Sequence, residues 1–142
     1  MRSLAWVALA GVAAILQVST DWFRDTTGLA WLDAVLVVVL VLGALGGPSL
    51  GFICGLLGGL VVGGPAGHAL VTGVVYGAGG AVAARAWQGH GGVLRLAAVA
   101  LLLTTLLSPA WDPALVSLGC VNAVITVGIC SVAGVVRRRE AL

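Results

Sequence analysis

Four of the polar side chains within or at the ends of apolar stretches of this 142-residue sequence are its best candidates for chemistry. They are Gln17, Asp33, His68 and Asn122. Because an ionised carboxylate in hydrocarbon costs on the order of a few kcal/mol, Asp33 is expected to face protein or a water-filled recess. Two interpretations stay open. The set lines an outward-open recess or a docking site for a partner, or Asp33 lies close enough to lipid headgroups to stay hydrated.

The remaining reactive residue types do not form a catalytic or metal-binding pattern. The cysteines lack metal-ligand spacing and are expected to be buried small hydrophobic residues. Neither His68 nor His90 has a histidine or an acid three or four residues away. The glycine-rich stretches lack the Lys-Ser/Thr of a phosphate loop. The sequence therefore predicts no enzymatic activity, no catalytic, cofactor-binding or metal site, and no nucleic-acid surface.

The composition predicts an integral membrane protein. Hydrophobic residues make up 61% of the chain and charged residues 8%, and the mean hydropathy is +1.17. These values are far from those of soluble domains, and no polar stretch is long enough to form a separate soluble domain. Residues 1–142 are expected to form a single polytopic membrane domain.

Six apolar runs predict six transmembrane helices, some of which need flanking glycines or interfacial residues to complete a crossing. In this scheme Asp33 lies about one turn into the second span, and Asn122 about a third of the way down the sixth. Gln17 lies near the outer end of the first span, and His68 caps the outer end of the fourth. The six runs are 4–19, 29–46, the two hairpin arms 47–67 and 69–85 with a turn at 63–65, then 93–107 and 113–136.

Glycine at every fourth position in the third and fourth runs predicts a tightly packed antiparallel hairpin. Small residues at this spacing let two helix backbones approach closely in lipid. The fold-back would set Gly51 near Gly80, and Gly58 or Gly59 near Gly73. The alternative is that glycine only reflects a biased composition. The packing residues expected from the spacing are Gly51, Gly55, Gly59, Gly73 and Gly77.

The hairpin interpretation also ranks substitutions. Gly55→Leu or Gly77→Leu is expected to force the two helices apart. Gly47→Ala is expected to matter far less, because Gly47 lies at the turn before the hairpin.

Arginine sets the predicted orientation, since the chain has no lysine. With the N-terminus inside, six arginines fall on the cytoplasmic side and only Arg24 falls outside. Both termini are therefore expected in the cytoplasm. The first run could also be a signal peptide, but no small-x-small cleavage site precedes Asp21 and its removal would break the arginine pattern. The arginine run near the C-terminus is expected to act as a topology stop, with an anionic-lipid or partner site as the alternative.

Several of these residues fall into a series of motifs along the first four spans. Gln17 ends the first span, and Leu32-Asp33 opens the second. A Gly47-Pro48 turn precedes the glycine helix. The later motifs are Gly51, Gly55-Leu56-Leu57, then Gly64-Pro65-Ala66-Gly67-His68-Ala69-Leu70, then Tyr76-Gly77.

In this series the sequence resembles the MreD family, the rod shape-determining multi-pass membrane proteins of bacteria. The likeness covers about Gln17 to Arg85, while the last two spans match only in hydropathy and length. Two positions depart from the family pattern. Leu32 replaces a proline, and Gly59 stands where the family usually has an acid, which puts any role of that acid in doubt.

The resemblance implies a compact six-helix fold similar to the substrate-binding subunits of energy-coupling-factor transporters. It implies a structural role, without cofactors, in the peptidoglycan elongation machinery of the bacterial cytoplasmic membrane. The expected partner is a bitopic scaffold of the MreC type. Through it the chain would reach the SEDS-type glycosyltransferase, the penicillin-binding transpeptidase and the MreB filament.

Two other functions remain open. A solute-binding transporter subunit shares the suspected fold, but a vitamin-sized pocket needs several convergent polar and aromatic groups, whereas the four polar residues look few and scattered. A small channel or permease is disfavoured by the shortage of intramembrane charge.

Overall fold

The computed structural model describes residues 33–64, 67–107 and 113–140, without the side chains of 115 and 136–140. This part of the chain is all-helical and contains five α-helices. The predicted first span, with Gln17, lies outside the described residues. The helices are α1 (Ala34–Gly46), α2 (Pro48–Gly63), α3 (Ala69–Trp87), α4 (Gly92–Leu107) and α5 (Ala114–Glu140).

Helix α1 begins at Ala34 because Asp33 caps it. Asp33 has the non-helical backbone angles φ −98° and ψ 89°, and its side chain accepts a hydrogen bond from the backbone N–H of Leu36. An aspartate that bonds the third residue after it fixes a helix start at that point. The prediction that Asp33 lies one turn inside the span is therefore wrong, since Asp33 is the N-cap residue.

Helix α1 is the centre of the described bundle. It contacts each of the other four helices. Its valines and leucines are buried around the whole circumference, as expected of a helix with no polar face. The buried set is Val35, Leu36, Val37, Val39, Leu40, Val41 and Leu42.

Helices α2 and α3 form the antiparallel glycine hairpin, with more extensive contact than any other described pair. A Cβ added at Gly51 would lie 2.5 Å from the carbonyl oxygen of Gly80, and one added at Gly59 would lie 2.6 Å from Cα of Gly73. These are two of the pairings expected from the spacing. Gly58 instead faces Val35 of α1, whose Cγ1 lies 2.8 Å from an added Cβ.

Gly47 joins α1 to α2 in a conformation that only glycine adopts readily. Its φ is +101° and its ψ is 168°. Its N–H donates to the carbonyl oxygen of Gly43, which ends α1, and its carbonyl oxygen accepts from Gly51 N–H in α2. These backbone angles strain any residue that carries a Cβ, even though the space around Gly47 is open. The expectation that Gly47→Ala matters far less than the hairpin substitutions is therefore wrong in its reason, because a turn with this φ requires glycine.

Two of the described helices contain segments that are long and apolar enough to cross a membrane, Ala69–Trp87 and Val116–Val135. The other three are shorter apolar helices. Helix α5 runs on through Glu140, so the arginines at 137–139 belong to its last turns instead of following it. Large apolar side chains are exposed on α2 to α5, among them Leu57, Leu70, Leu94 and Val124.

Candidate functional site

The carboxylate of Asp33 is held at the start of the central helix by two hydrogen bonds. Oδ1 accepts from the backbone N–H of Leu36 at 2.9 Å, and Oδ2 accepts from the hydroxyl of Tyr76 at 2.6 Å. A bond of 2.6 Å from a hydroxyl to a carboxylate has the length of a charge-assisted hydrogen bond. Tyr76 belongs to α3 and is 2% exposed. Its bond to Asp33 therefore holds α3 against the N-terminal end of α1.

Asn122 of helix α5 bonds the backbone of Asp33. Its side-chain oxygen accepts from the backbone N–H of Asp33 at 3.0 Å, and its amide nitrogen donates to the hydroxyl oxygen of Thr104 at 3.3 Å. The residue is 0% exposed. A buried amide costs free energy unless its donors and acceptor are used, and here both ends of the Asn122 amide have partners.

Two buried threonines complete this group by bonding to their own helices. The hydroxyl of Thr104 donates to the carbonyl oxygen of Ala100 at 2.8 Å. The hydroxyl of Thr126 donates to the carbonyl oxygen of Asn122 at 2.7 Å. Thr104 thus donates to its own α4 backbone while it accepts from Asn122 of α5, which joins the two helices.

We call Asp33, Tyr76, Thr104, Asn122 and Thr126 the polar cluster. It joins α1, α3, α4 and α5 at one level of an otherwise apolar interior. Within the described part of the chain, no buried side-chain nitrogen or oxygen lacks a hydrogen-bond partner. The donors and acceptors of the cluster form hydrogen bonds to one another and to the helix backbones. Such bonds position the helices relative to one another.

The structure brings together two of the four predicted polar residues. Asp33 and Asn122 are directly hydrogen-bonded, so the expectation of a scattered set is wrong for this pair. His68 is exposed at the N-cap of α3, and its side chain makes no capping bond. It precedes Tyr76 by about two helical turns and does not join the cluster. Gln17 lies outside the described residues.

The other three members, Tyr76, Thr104 and Thr126, were not among the four predicted polar residues. Tyr76 carried a usable signal, because it is the chain's single tyrosine and lies in a glycine-rich apolar run where its hydroxyl needs an acceptor. The threonines carried none, since a helical threonine can satisfy its hydroxyl on its own backbone.

The cysteines and histidines do not add a metal centre to this part of the chain. Among the described residues, no group of three His, Cys, Asp or Glu side chains could hold a metal ion. Cys54 and Cys130 are buried as expected, but Cys120 is exposed, so the expectation of burial is wrong for Cys120.

Comparisons of the chain with protein-family models, with curated proteins and with solved structures return no match.

Proposed function

We propose that this chain is a non-enzymatic, multi-pass scaffold of the bacterial cytoplasmic membrane that serves the cell-wall elongation machinery. The observation that carries the proposal is the polar cluster. Its buried polar groups bond one another and their own helices, which suits a protein whose role is to hold a shape. A ligand-binding subunit would need polar groups that remain free to take a ligand.

The apolar surface supports placement in a membrane. Two helices reach spanning length, and large apolar side chains are exposed on α2 to α5. Leu94, for example, is 77% exposed. In water such a surface would favour aggregation, whereas in lipid it has no cost. The proposal extends this to six spans with both termini inside.

Two motifs of the MreD resemblance meet in the fold. Asp33 belongs to the motif that opens the second predicted span, and Tyr76 to the motif in the fourth. They are 43 residues apart in sequence and are joined by one hydrogen bond. If the resemblance holds, this contact gives the two motifs a shared structural role in joining α1 to α3.

Gly59 gives a physical account of one departure from that family. An added Cβ at this position would lie 2.6 Å from the Cα of Gly73. A glutamate or aspartate at position 59 would therefore push α2 and α3 apart. In this chain α2 and α3 pack too closely at position 59 to leave room for the acidic side chain that the family usually has there.

The test is a deletion of the gene in its native host, with the wild-type chain or variants supplied back. Loss of rod shape on deletion, and recovery of a bitopic membrane protein of the MreC type with the tagged chain, are the expected results. Asp33→Asn keeps one oxygen that can cap α1 but replaces the other with an NH2 donor, so the Tyr76 hydroxyl can only accept at that position. It is expected to restore shape more fully than Asp33→Ala, which removes both oxygens and is expected to weaken the fold or the complex.

The alternative is a solute-binding subunit of an energy-coupling-factor-type transporter, and the same strains distinguish it. Cells that keep their shape after deletion but lose uptake of a vitamin or metal ion would refute the scaffold proposal. Nanomolar binding of such a solute by the purified chain would have the same force.

A further inference from the structure

A second feature lies at the other end of the bundle from the polar cluster. An open recess with a volume of about 720 Å³ forms where the ends of four helices meet. Ala44 and Leu45 of α1 form one wall, about three turns along the helix from Asp33. Trp87 at the end of α3, His90 in the following loop, Gly92 of α4 and Gly134 of α5 complete it.

The recess exists because small residues line much of it. A Cβ added at Gly134 would meet no atom within 4 Å, so the space beside this part of α5 is empty. Gly89 and Gly91 have φ of +93° and +81°, which lets the loop turn tightly between α3 and α4. His90 is exposed at the rim.

Arginines are concentrated in the segments of the chain that adjoin this recess. Arg85 and Arg95 lie within about one helical turn of the loop between α3 and α4, and both are exposed. The backbone of residues 137–139, all arginine, forms the turns of α5 that follow Gly134. Against these five arginines, the segments 85–95 and 134–142 contain a single acid, Glu140.

Apolar side chains continue outward from the same rim. Val93 and Leu94 at the start of α4 are 51% and 77% exposed, and Val135, which follows Gly134, is 54% exposed. A ligand that fits this surface combines a negative group, attracted by the nearby arginines, with hydrocarbon for the exposed apolar side chains. A free phosphate ion would use only the first of these features.

We infer that the recess binds the headgroup of an anionic phospholipid, whose acyl chains lie along the exposed side chains of α4 and α5. Basic clusters at the ends of membrane helices attract such headgroups. The inference rests on the membrane placement in the proposed function and is independent of the role in cell-wall elongation.

The test uses the full-length chain, purified in a neutral detergent with equal amounts of phosphatidylglycerol and phosphatidylcholine. Lipid that stays bound is counted by native mass spectrometry. We expect preferential retention of phosphatidylglycerol by the wild-type chain. Gly134→Leu places a larger side chain in the recess, where an added Cβ would meet nothing within 4 Å, and is expected to reduce the preference. Gly128→Leu is the matched control, because an added Cβ there also meets nothing within 4 Å and Gly128 does not line the recess.

Exposed Arg95 supplies a second variant that leaves the packing intact. Arg95→Gln should weaken phosphatidylglycerol binding by about fivefold, the effect of one basic residue near an anionic surface. Equal retention of phosphatidylglycerol by the Gly134→Leu and Gly128→Leu chains would overturn the inference. Displacement of the lipid by millimolar inorganic phosphate would also overturn it and assign the recess to phosphate itself.

Failure of the inference can be told apart from failure of the proposed function. A chain that alkaline washing strips from membranes would refute both. A chain that stays in the membrane but shows no lipid preference would refute only the lipid site.

Discussion

Tyr76 is a phenol in a helix made mostly of glycine, alanine and valine, and Asp33 is the acceptor that allows its burial. The ring is 2% exposed, so water is not available to its hydroxyl. The bond reaches from α3 to the first residue before α1. Because the same aspartate also caps α1 and donates its backbone N–H to Asn122, one residue sets the relative positions of three helices.

Tyr76→Phe should destabilise the fold while it keeps the packing of the ring. The substitution leaves one oxygen of Asp33 without the tyrosine hydroxyl, and a hydrogen bond to a charged group contributes about 1.5–3 kcal/mol. We expect a loss of that size in the free energy of unfolding, measured by denaturant titration in detergent micelles. Thr105→Val is the control. It removes a hydroxyl bond to the carbonyl oxygen of Leu102 outside the polar cluster, and should cost about 0.5 kcal/mol or less.

A Tyr76→Phe chain as stable as the Thr105→Val chain would contradict the role given to the cluster.

The residues of the cluster could be predicted only in part. Asp33 and Asn122 stand out as polar groups in apolar runs, but their pairing joins residues 89 positions apart and depends on how α1 and α5 pack. No local sequence signal encodes that packing.

At the scale of helices, glycine spacing was more informative than hydropathy. The apolar runs resemble one another in composition, and apolar residues in a membrane protein can face either lipid or protein. Hydropathy therefore could not show that α1 is the buried centre. The glycine pattern could predict the α2–α3 contact, because only close backbone approach requires the absence of side chains. It could not decide between Gly58 and Gly59, which are adjacent and face different helices.

Gly55→Leu should separate α2 from α3. An added Cβ at Gly55 would lie 2.7 Å from Cα of Gly77, so the backbone itself would have to move. Overpacking of this kind costs about 1–3 kcal/mol and occasionally more. The expected result is a lower unfolding midpoint in detergent. Gly128→Leu, the same change in open space on α5, should leave the midpoint unchanged or raise it. Equal effects of the two changes would show that the hairpin is not closely packed.

Gly47→Ala tests the joint between α1 and α2. With φ +101° and ψ 168°, Gly47 occupies a region that is almost exclusive to glycine, and alanine there should cost on the order of 1–3 kcal/mol. Gly128→Ala, inside a helix with free space, should instead stabilise by up to about 1 kcal/mol. Opposite shifts of the thermal midpoint are expected. A stabilised Gly47→Ala chain would contradict the backbone conformation of this turn.

At the scale of the whole molecule, the polar cluster and the recess lie at opposite ends of α1. Asp33 precedes the first residue of α1, while Ala44 and Leu45 near its end line the recess. The orientation predicted from arginine places the cluster in the outer half of the membrane and the recess on the cytoplasmic side. With this separation, the polar cluster can hold the outer half of the chain rigid while the recess at the inner end stays open to bind lipid.

The all-helical class and the ends of most helices could be predicted from the sequence, because proline and glycine interrupt the apolar runs at defined places. Pro48 begins α2 directly after Gly47, which caps the end of α1. The end of α5 could not be predicted in this way. The arginines end the apolar run but do not end the helix, because arginine is a good helix former. Helix α5 therefore continues to Glu140.

Reporter fusions test the orientation on which both proposals depend. Six arginines on one side against Arg24 on the other predict that the loop between α2 and α3 is periplasmic, whereas the loop between α3 and α4 and the C-terminus are cytoplasmic. Alkaline phosphatase, which is active only in the periplasm, should be active when fused after Gly67. It should be inactive when fused after Gly89 or after Leu142. Replacement of Arg137, Arg138 and Arg139 by glutamine should weaken this pattern without reversing it, because Arg2, Arg85 and Arg95 still favour the same side. An active fusion after Leu142 in the wild-type sequence would overturn the six-span scheme, and with it the placement of the recess at the cytoplasmic surface.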